Sequence, residues 1–74
     1  MNAKRMEHII EYTVFLVKNF AGRFEIDMRD AFNYLNRYEG IRYIENNYDF
    51  EHTQNPDYTV ETLRNVCRKN GGEL

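Results

Sequence analysis

Serine and tryptophan are absent from this 74-residue chain, and cysteine, proline and histidine are scarce, at one, one and two copies. Each shortage excludes something. A single cysteine, Cys67, cannot make a disulfide framework. A structural zinc site takes about four Cys or His ligands. The chain offers His8, His52 and Cys67, with no pair at helical ligand spacing. No metal and no cofactor are expected. Without serine, serine-based nucleophilic catalysis is closed. The glycines, Gly22, Gly40 and the pair Gly71-Gly72, never cluster ahead of a helix as a phosphate-binding loop requires. The longest strictly apolar run is Val14 to Val17, far short of the ~20 residues a membrane span needs. The N-terminal stretch has a basic pair, but Glu7, His8 and Glu11 interrupt its apolar residues, so it does not read as a signal peptide. With a lone cysteine, the expected setting is the reducing cytoplasm, away from membranes.

An excess of positive charge is also missing. Ten Lys and Arg against twelve Asp and Glu leave a net charge of −2. A phosphate-backbone binder usually carries a strong basic patch, so nucleic acid is not an expected partner of the chain alone.

What is present is a small chain rich in rings. Residues 1–74 suffice for a single domain. A domain this short buries only about 60% of its unfolded surface, so it depends on good helix packing or on association. Six tyrosines and five phenylalanines make 15% of the residues. Phenylalanine suits a core, whereas tyrosine suits half-buried positions and interfaces. Six tyrosines exceed what so thin a core would be expected to absorb.

The apolar residues recur with helical period. Met6, Ile9, Ile10, Thr13, Leu16, Val17 and Phe20 fall on one stripe, with Val14 and Phe15 at its flanks. Gly22 reads as the residue that stops this helix. Asp27 reads as an N-cap with Asp30 in the first turn, and Met28, Ala31, Phe32, Leu35 and Tyr38 form a second stripe. Glu39-Gly40 reads as its end. Ile41, Ile44 and Tyr48 suggest a short third helix that Asn46-Asn47 closes. Thr59 reads as the cap of a fourth helix, with Val60, Leu63, Val66 and Cys67 inward, Gly71-Gly72 as its stop, and Glu73-Leu74 frayed. The expected fold is an all-α compact bundle of four helices at about 4–20, 27–39, 41–48 and 59–70, the third short.

Candidate functional residues follow from this layout. Tyr34 and Tyr38 lie one turn apart on helix 2, Tyr43 and Tyr48 lie on helix 3, and Arg37 and Arg42 interleave with them. Tyrosine and arginine together are the preferred residues of interface hot spots, so these six form the candidate interaction face. A helix-turn-helix reading is weaker: Ala31 and Gly40 are too far apart for its turn, and Arg42 lies beside Glu45. The loop YDFEHTQNPDY, residues 48–58, contains His52, Thr53 and Pro56 and leads to Thr59. Pro56-Asp57 suits a turn and Thr59 a cap, so these four are expected to shape the loop, with His52 bonding a backbone carbonyl or a helix end. Catalysis is not expected, because a chain this short rarely both folds and encloses a substrate pocket.

Residues 48–71 show a further pattern. Tyr48, His52, Thr53, Val60, Glu61 and Leu63 match the Tyr-x-x-x-His-Thr segment and following helix of an uncharacterised family of short bacterial proteins, a domain of unknown function. The segment AFNYLNRYEG, residues 31–40, is similar to that family's aromatic region. The resemblance implies a helical cytosolic protein, often encoded beside predicted ADP-ribosyltransferase-like toxins, and carries over no catalytic residues. The expected function is therefore a protein–protein interaction module, antitoxin-like or regulatory, that docks on and occludes a separately encoded partner. The alternatives are a nucleic-acid-binding regulator acting as a homodimer, or a helical domain with no activity of its own.

Overall fold

The longest apolar stripe of the sequence becomes the longest helix. The computed structural model describes residues 3–74 and places them in four helices: α1 (Ala3–Phe24), α2 (Met28–Arg37), α3 (Gly40–Glu51) and α4 (Pro56–Lys69). The all-α bundle follows the periodicity, and the third helix is shorter than the first. Twenty-two residues at about 1.5 Å each span some 33 Å, which accounts for the 35 Å long axis of the molecule. α1 packs against each of the other helices, and α3 also packs on α2 and α4. The core comprises Leu16, Val17, Phe20 and Ala21 of α1, Ala31 and Leu35 of α2, Ile44 of α3, and Val60, Leu63 and Cys67 of α4. Among the described residues no helix is long and apolar enough to cross a membrane.

The helix ends differ from expectation, for local physical reasons. α1 does not stop at Gly22. It continues because Ala21 is buried and the Phe24 ring packs on Phe20 at 4.6 Å. Gly22 faces solvent, with nothing within 4 Å of where a Cβ would stand. The left-handed residue that ends α1 is Glu25, at φ 54°. The Ile26 amide then bonds back to the Ala21 carbonyl at 3.0 Å, the six-to-one bond of a Schellman cap. Asp27 caps α2 as expected, its carboxylate accepting the Asp30 amide at 2.8 Å. At the other end of α2 the left-handed residue is Glu39, at φ 71°, and Gly40 instead begins α3. Gly40 is required by proximity, since a Cβ there would meet Leu35 Cδ2 at 2.7 Å and the Leu35 carbonyl at 3.1 Å.

α3 passes through Asn46-Asn47 instead of ending there. Asn47 is locally non-helical (φ −121°, ψ 17°), yet its side-chain amide donates to the Tyr43 carbonyl at 2.9 Å and the helix resumes to Glu51. α4 begins three residues before Thr59. Asn55 is its N-cap, accepting the Asp57 amide at 2.8 Å, and Pro56 takes the first helical position, where its missing N–H costs nothing. Thr59 is thus a buried residue of α4's first full turn and not a cap, and Pro56 is helical rather than part of the turn.

The C-terminal residues are held. Gly71, at φ 103°, turns the chain so that the Gly72 amide reaches the Cys67 carbonyl at 2.8 Å. The Leu74 amide donates to the Tyr34 hydroxyl at 3.0 Å, and Arg68 Nε donates to the Leu74 main-chain oxygen at 2.6 Å. Glu73-Leu74 were expected to fray. The hydrogen bonds to Tyr34 and Arg68 explain why they do not.

Candidate functional site

The six candidate interaction residues form two groups with separate partners. In the first, the Tyr34 ring stacks on Phe20 at 5.8 Å and packs against Tyr38 at 4.9 Å, while the Arg37 guanidinium lies 5.7 Å from the Tyr38 ring centre. In the second, Tyr48 meets Tyr12 edge-on at 5.5 Å and stacks flat on His52 at 4.5 Å. Tyr43 turns its hydroxyl inward to Glu51. Arg42 is exposed and paired with Glu39 at 3.3 Å. All four tyrosines are half-buried, so their rings serve intramolecular packing and Arg37 and Arg42 are the exposed members of the set.

The loop residues finish α3. The His52 amide and His52 Nδ1 both meet the Tyr48 carbonyl, at 3.0 and 2.7 Å, so Nδ1 carries the proton in this contact. Thr53 does the same one position on, its amide and hydroxyl donating to the Phe50 carbonyl at 3.2 and 2.7 Å. These bonds satisfy carbonyls that a helix end leaves open. His52 itself is exposed.

A residue that the sequence reading passed over sits at the junction of α3 and α4. Glu51 is 1% exposed, and no basic side chain pairs with it among the described residues. Tyr43 donates its hydroxyl to one carboxyl oxygen, and Thr59 donates to the other at 3.3 Å. Tyr12 closes the cluster. Its hydroxyl is buried and stops short of a full hydrogen bond with Thr59. Burial raises the Tyr12 phenol, with the nearby Thr59 hydroxyl pulling the other way and the Glu51 charge adding to the rise. Tyr43 is pushed up to about 12, by burial first and then by its bond to Glu51. A sealed carboxyl ringed by hydroxyls has no open face for a substrate, so its chemistry is structural. The signal for Glu51 was available: it lies seven residues beyond Ile44, on the inward face, once α3 is continued past Asn47.

Cys67 and its surroundings offer no nucleophile. The thiol is fully buried, and burial pushes it up to about 11, against a small opposing effect from the Gly40 amide. Reactive cysteines have depressed pKa values and are accessible. No group of three or more His, Cys, Asp or Glu among the described residues could hold a metal ion.

The open surface is apolar and lies elsewhere. Met6, Ile10 and Val14, at i, i+4 and i+8, are 50%, 56% and 53% exposed, and Met28 and Phe32 of α2 are each 43% exposed. Met6 and Ile10 were expected inside the α1 stripe, and Met28 and Phe32 inside the α2 stripe. Met6 and Ile10 stay outside because α2 has 10 residues to the 22 of α1, too short to cover the N-terminal half of that flank, and Met28 and Phe32 lie on the side of α2 that borders the open hollow. Val14 and Val17 face Met28 and Phe32 across a hollow of about 370 Å³. A second hollow, of about 450 Å³, continues the ridge past Ile9, Ile10 and Met6. Five side chains about half exposed present on the order of 400 Å² of apolar surface, large for a chain of this size.

The family described as protein of unknown function (DUF3791) matches residues 11–70. No curated protein and no solved structure matches the chain.

Proposed function

The chain belongs to the DUF3791 family of proteins of unknown function, and from that premise we propose that it is a protein–protein interaction module that works by docking and not by catalysis. The open apolar ridge of α1, with α2 beside one hollow and α3 beside the other, carries this reading, because water-exposed Met6, Ile10, Val14, Met28 and Phe32 are stabilised by a partner's apolar surface. Buried Glu51 and Cys67 support it, since the two groups best placed for chemistry are closed to solvent. The ridge with its hollows, and not the six-residue tyrosine–arginine set, is the docking face. The partner is a separately encoded protein presenting an apolar helix, the mode in which an amphipathic helix fills a hydrophobic groove.

In its specific form the proposal is an antitoxin-like accessory protein of the bacterial cytoplasm, which occludes an adjacent-gene toxin. That form derives from the family resemblance in YDFEHT and the following helix. Co-expression with the neighbouring gene product, followed by size-exclusion chromatography, tests it. We expect co-elution, and its loss in Phe32→Asp with the helical circular dichroism intact. Absence of co-elution for the unmodified chain overturns the reading.

A further inference from the structure

The two hollows that flank the Met6-Ile10-Val14 ridge of α1 differ in charge. In one, Arg29 and Asn33 line the wall beside Val14 and Val17. In the other, Glu45 and Asn46 of α3 line it beside Met6, Ile9 and Ile10. Arg29 and Glu45 are both exposed, and neither has an ion-pair partner among the described residues. Ile10 lies midway along the ridge, one turn from Met6 and one from Val14.

We propose that in the isolated protein this ridge is covered by a second copy of the chain, paired antiparallel about a two-fold axis at Ile10. The inference rests on the ridge being a docking face and names what covers it when no other protein is bound. A two-fold of this kind reverses the direction of α1 while keeping the α2–α3 wall on the same side. Met6 of one copy then faces Val14 of the other, and Ile10 faces its own equivalent. Arg29 meets the partner's Glu45, and the symmetry repeats that contact. A self-complementary pattern, with an apolar centre and opposite charges at opposite ends, is what an isologous interface requires. The Met6-Ile10-Val14 row is also an i±4 ridge, the kind that interdigitates when helices pack. Two apolar patches of about 400 Å² bury about 800 Å² between the copies, the size of a weak, concentration-dependent interface. The separately encoded partner of the proposed function competes with the second copy for one face.

Sedimentation of the full chain from about 5 to about 200 µM tests the pairing, since self-association follows concentration. We expect a species of twice the 9.0 kDa chain mass. Ile10→Asp places two carboxylates face to face and abolishes it. Arg29→Glu or Glu45→Arg alone makes both symmetry-related contacts repulsive and raises the dimer Kd roughly tenfold. The combined reversal, Arg29→Glu with Glu45→Arg, restores the Kd to within about threefold. All three positions are exposed, so circular dichroism should show every variant folded. A chain that is monomeric throughout, or a combined reversal no tighter than the single variants, overturns the self-pairing. A monomer that still co-elutes with the neighbouring gene product overturns this inference alone and leaves the docking function standing. A dimer that fails to co-elute does the reverse.

Discussion

Replacing Glu51 by alanine is expected to destabilise the fold by about 3 kcal/mol, and the figure can be worked from the contacts. The carboxyl is the acceptor for two hydroxyls, Tyr43 and Thr59. A buried donor left without its acceptor costs about 1–3 kcal/mol. The lost methylene adds about 0.8 kcal/mol. Removing a buried carboxyl recovers its desolvation, which offsets part of the loss. A domain of this length has about 4–11 kcal/mol in all, at 0.05–0.15 kcal/mol per residue. A 3 kcal/mol change should therefore lower Tm by about 12–24 °C. Urea unfolding followed by far-UV circular dichroism measures it directly. Glu51→Gln keeps the shape and one carbonyl acceptor, and its amide can donate to a hydroxyl that turns round, so it should cost only about 1 kcal/mol. In a double-mutant cycle with Tyr43→Phe, the Glu51 and Tyr43 changes should couple by about 1 kcal/mol. An alanine variant within about 0.5 kcal/mol of the original chain, or a Glu51→Leu variant as stable as the original, would refute the reasoning, because shape alone would then hold the α3–α4 junction.

Further outcomes follow from the caps and the buried acids. Gly22→Ala should stabilise the chain by about 1 kcal/mol, because Gly22 lies within α1 and not at its end; a loss of similar size would restore Gly22 as the stop. Glu25→Gly should stabilise by about 1 kcal/mol by relieving a left-handed non-glycine residue; chemical denaturation measures both. Asn55→Ala should cost about 1 kcal/mol as the true N-cap of α4, and an unchanged urea midpoint would contradict that assignment. His52→Ala should cost less than about 1 kcal/mol, because its bond to the Tyr48 carbonyl is exposed, and a drop in Tm beyond about 8 °C would give the ring a larger role. Stability should also fall in alkali. The folded state holds the Cys67 and Tyr43 protons more tightly than the unfolded chain does, so their contributions are full below the ordinary values of 9.0 and 10.0. They are lost as pH rises to about 11 for Cys67 and about 12 for Tyr43. Tyr43→Phe and Cys67→Val should flatten the upper and lower parts of that decline, and a urea midpoint unchanged across the range would sink the assignment.

Much of the fold was legible because helical periodicity is local. The inward residues Leu16, Val17, Phe20, Leu35, Ile44, Leu63 and Cys67 follow from spacing alone, and so does the Asp27 cap, whose side chain needs only its own helix. The misplaced ends share one cause. Gly22 and Asn46-Asn47 are stop signals by propensity, but packing of Phe24 and Glu51 further along outweighs a local cost of about 1 kcal/mol. The Asn55-Pro56-Asp57 start is also present in the sequence, where a proline at the first helical position is itself a signal, but Thr59 is an equally good capping residue three positions on, and only its burial against Glu51 decides between them.

The site divides in the same way. Composition and charge determined the negative expectations by themselves: no disulfide framework, no nucleotide loop and no basic footprint, since these need a second cysteine, clustered glycines or an excess of Lys and Arg that the chain does not have. Which aromatic and apolar residues remain open is a different question. Tyr34, Tyr38, Tyr43 and Tyr48 looked like the free surface, and the fold gave Tyr34 the Phe20 ring and the Leu74 amide, Tyr38 the Tyr34 ring, Tyr43 the Glu51 carboxyl and Tyr48 the Tyr12 ring. Met6, Ile10, Met28 and Phe32 looked like core and were left outside. A periodic stripe states which face of a helix is apolar. How much of that face is covered depends on the length and crossing of the neighbouring helix, and here the ten residues of α2 run out before α1 does.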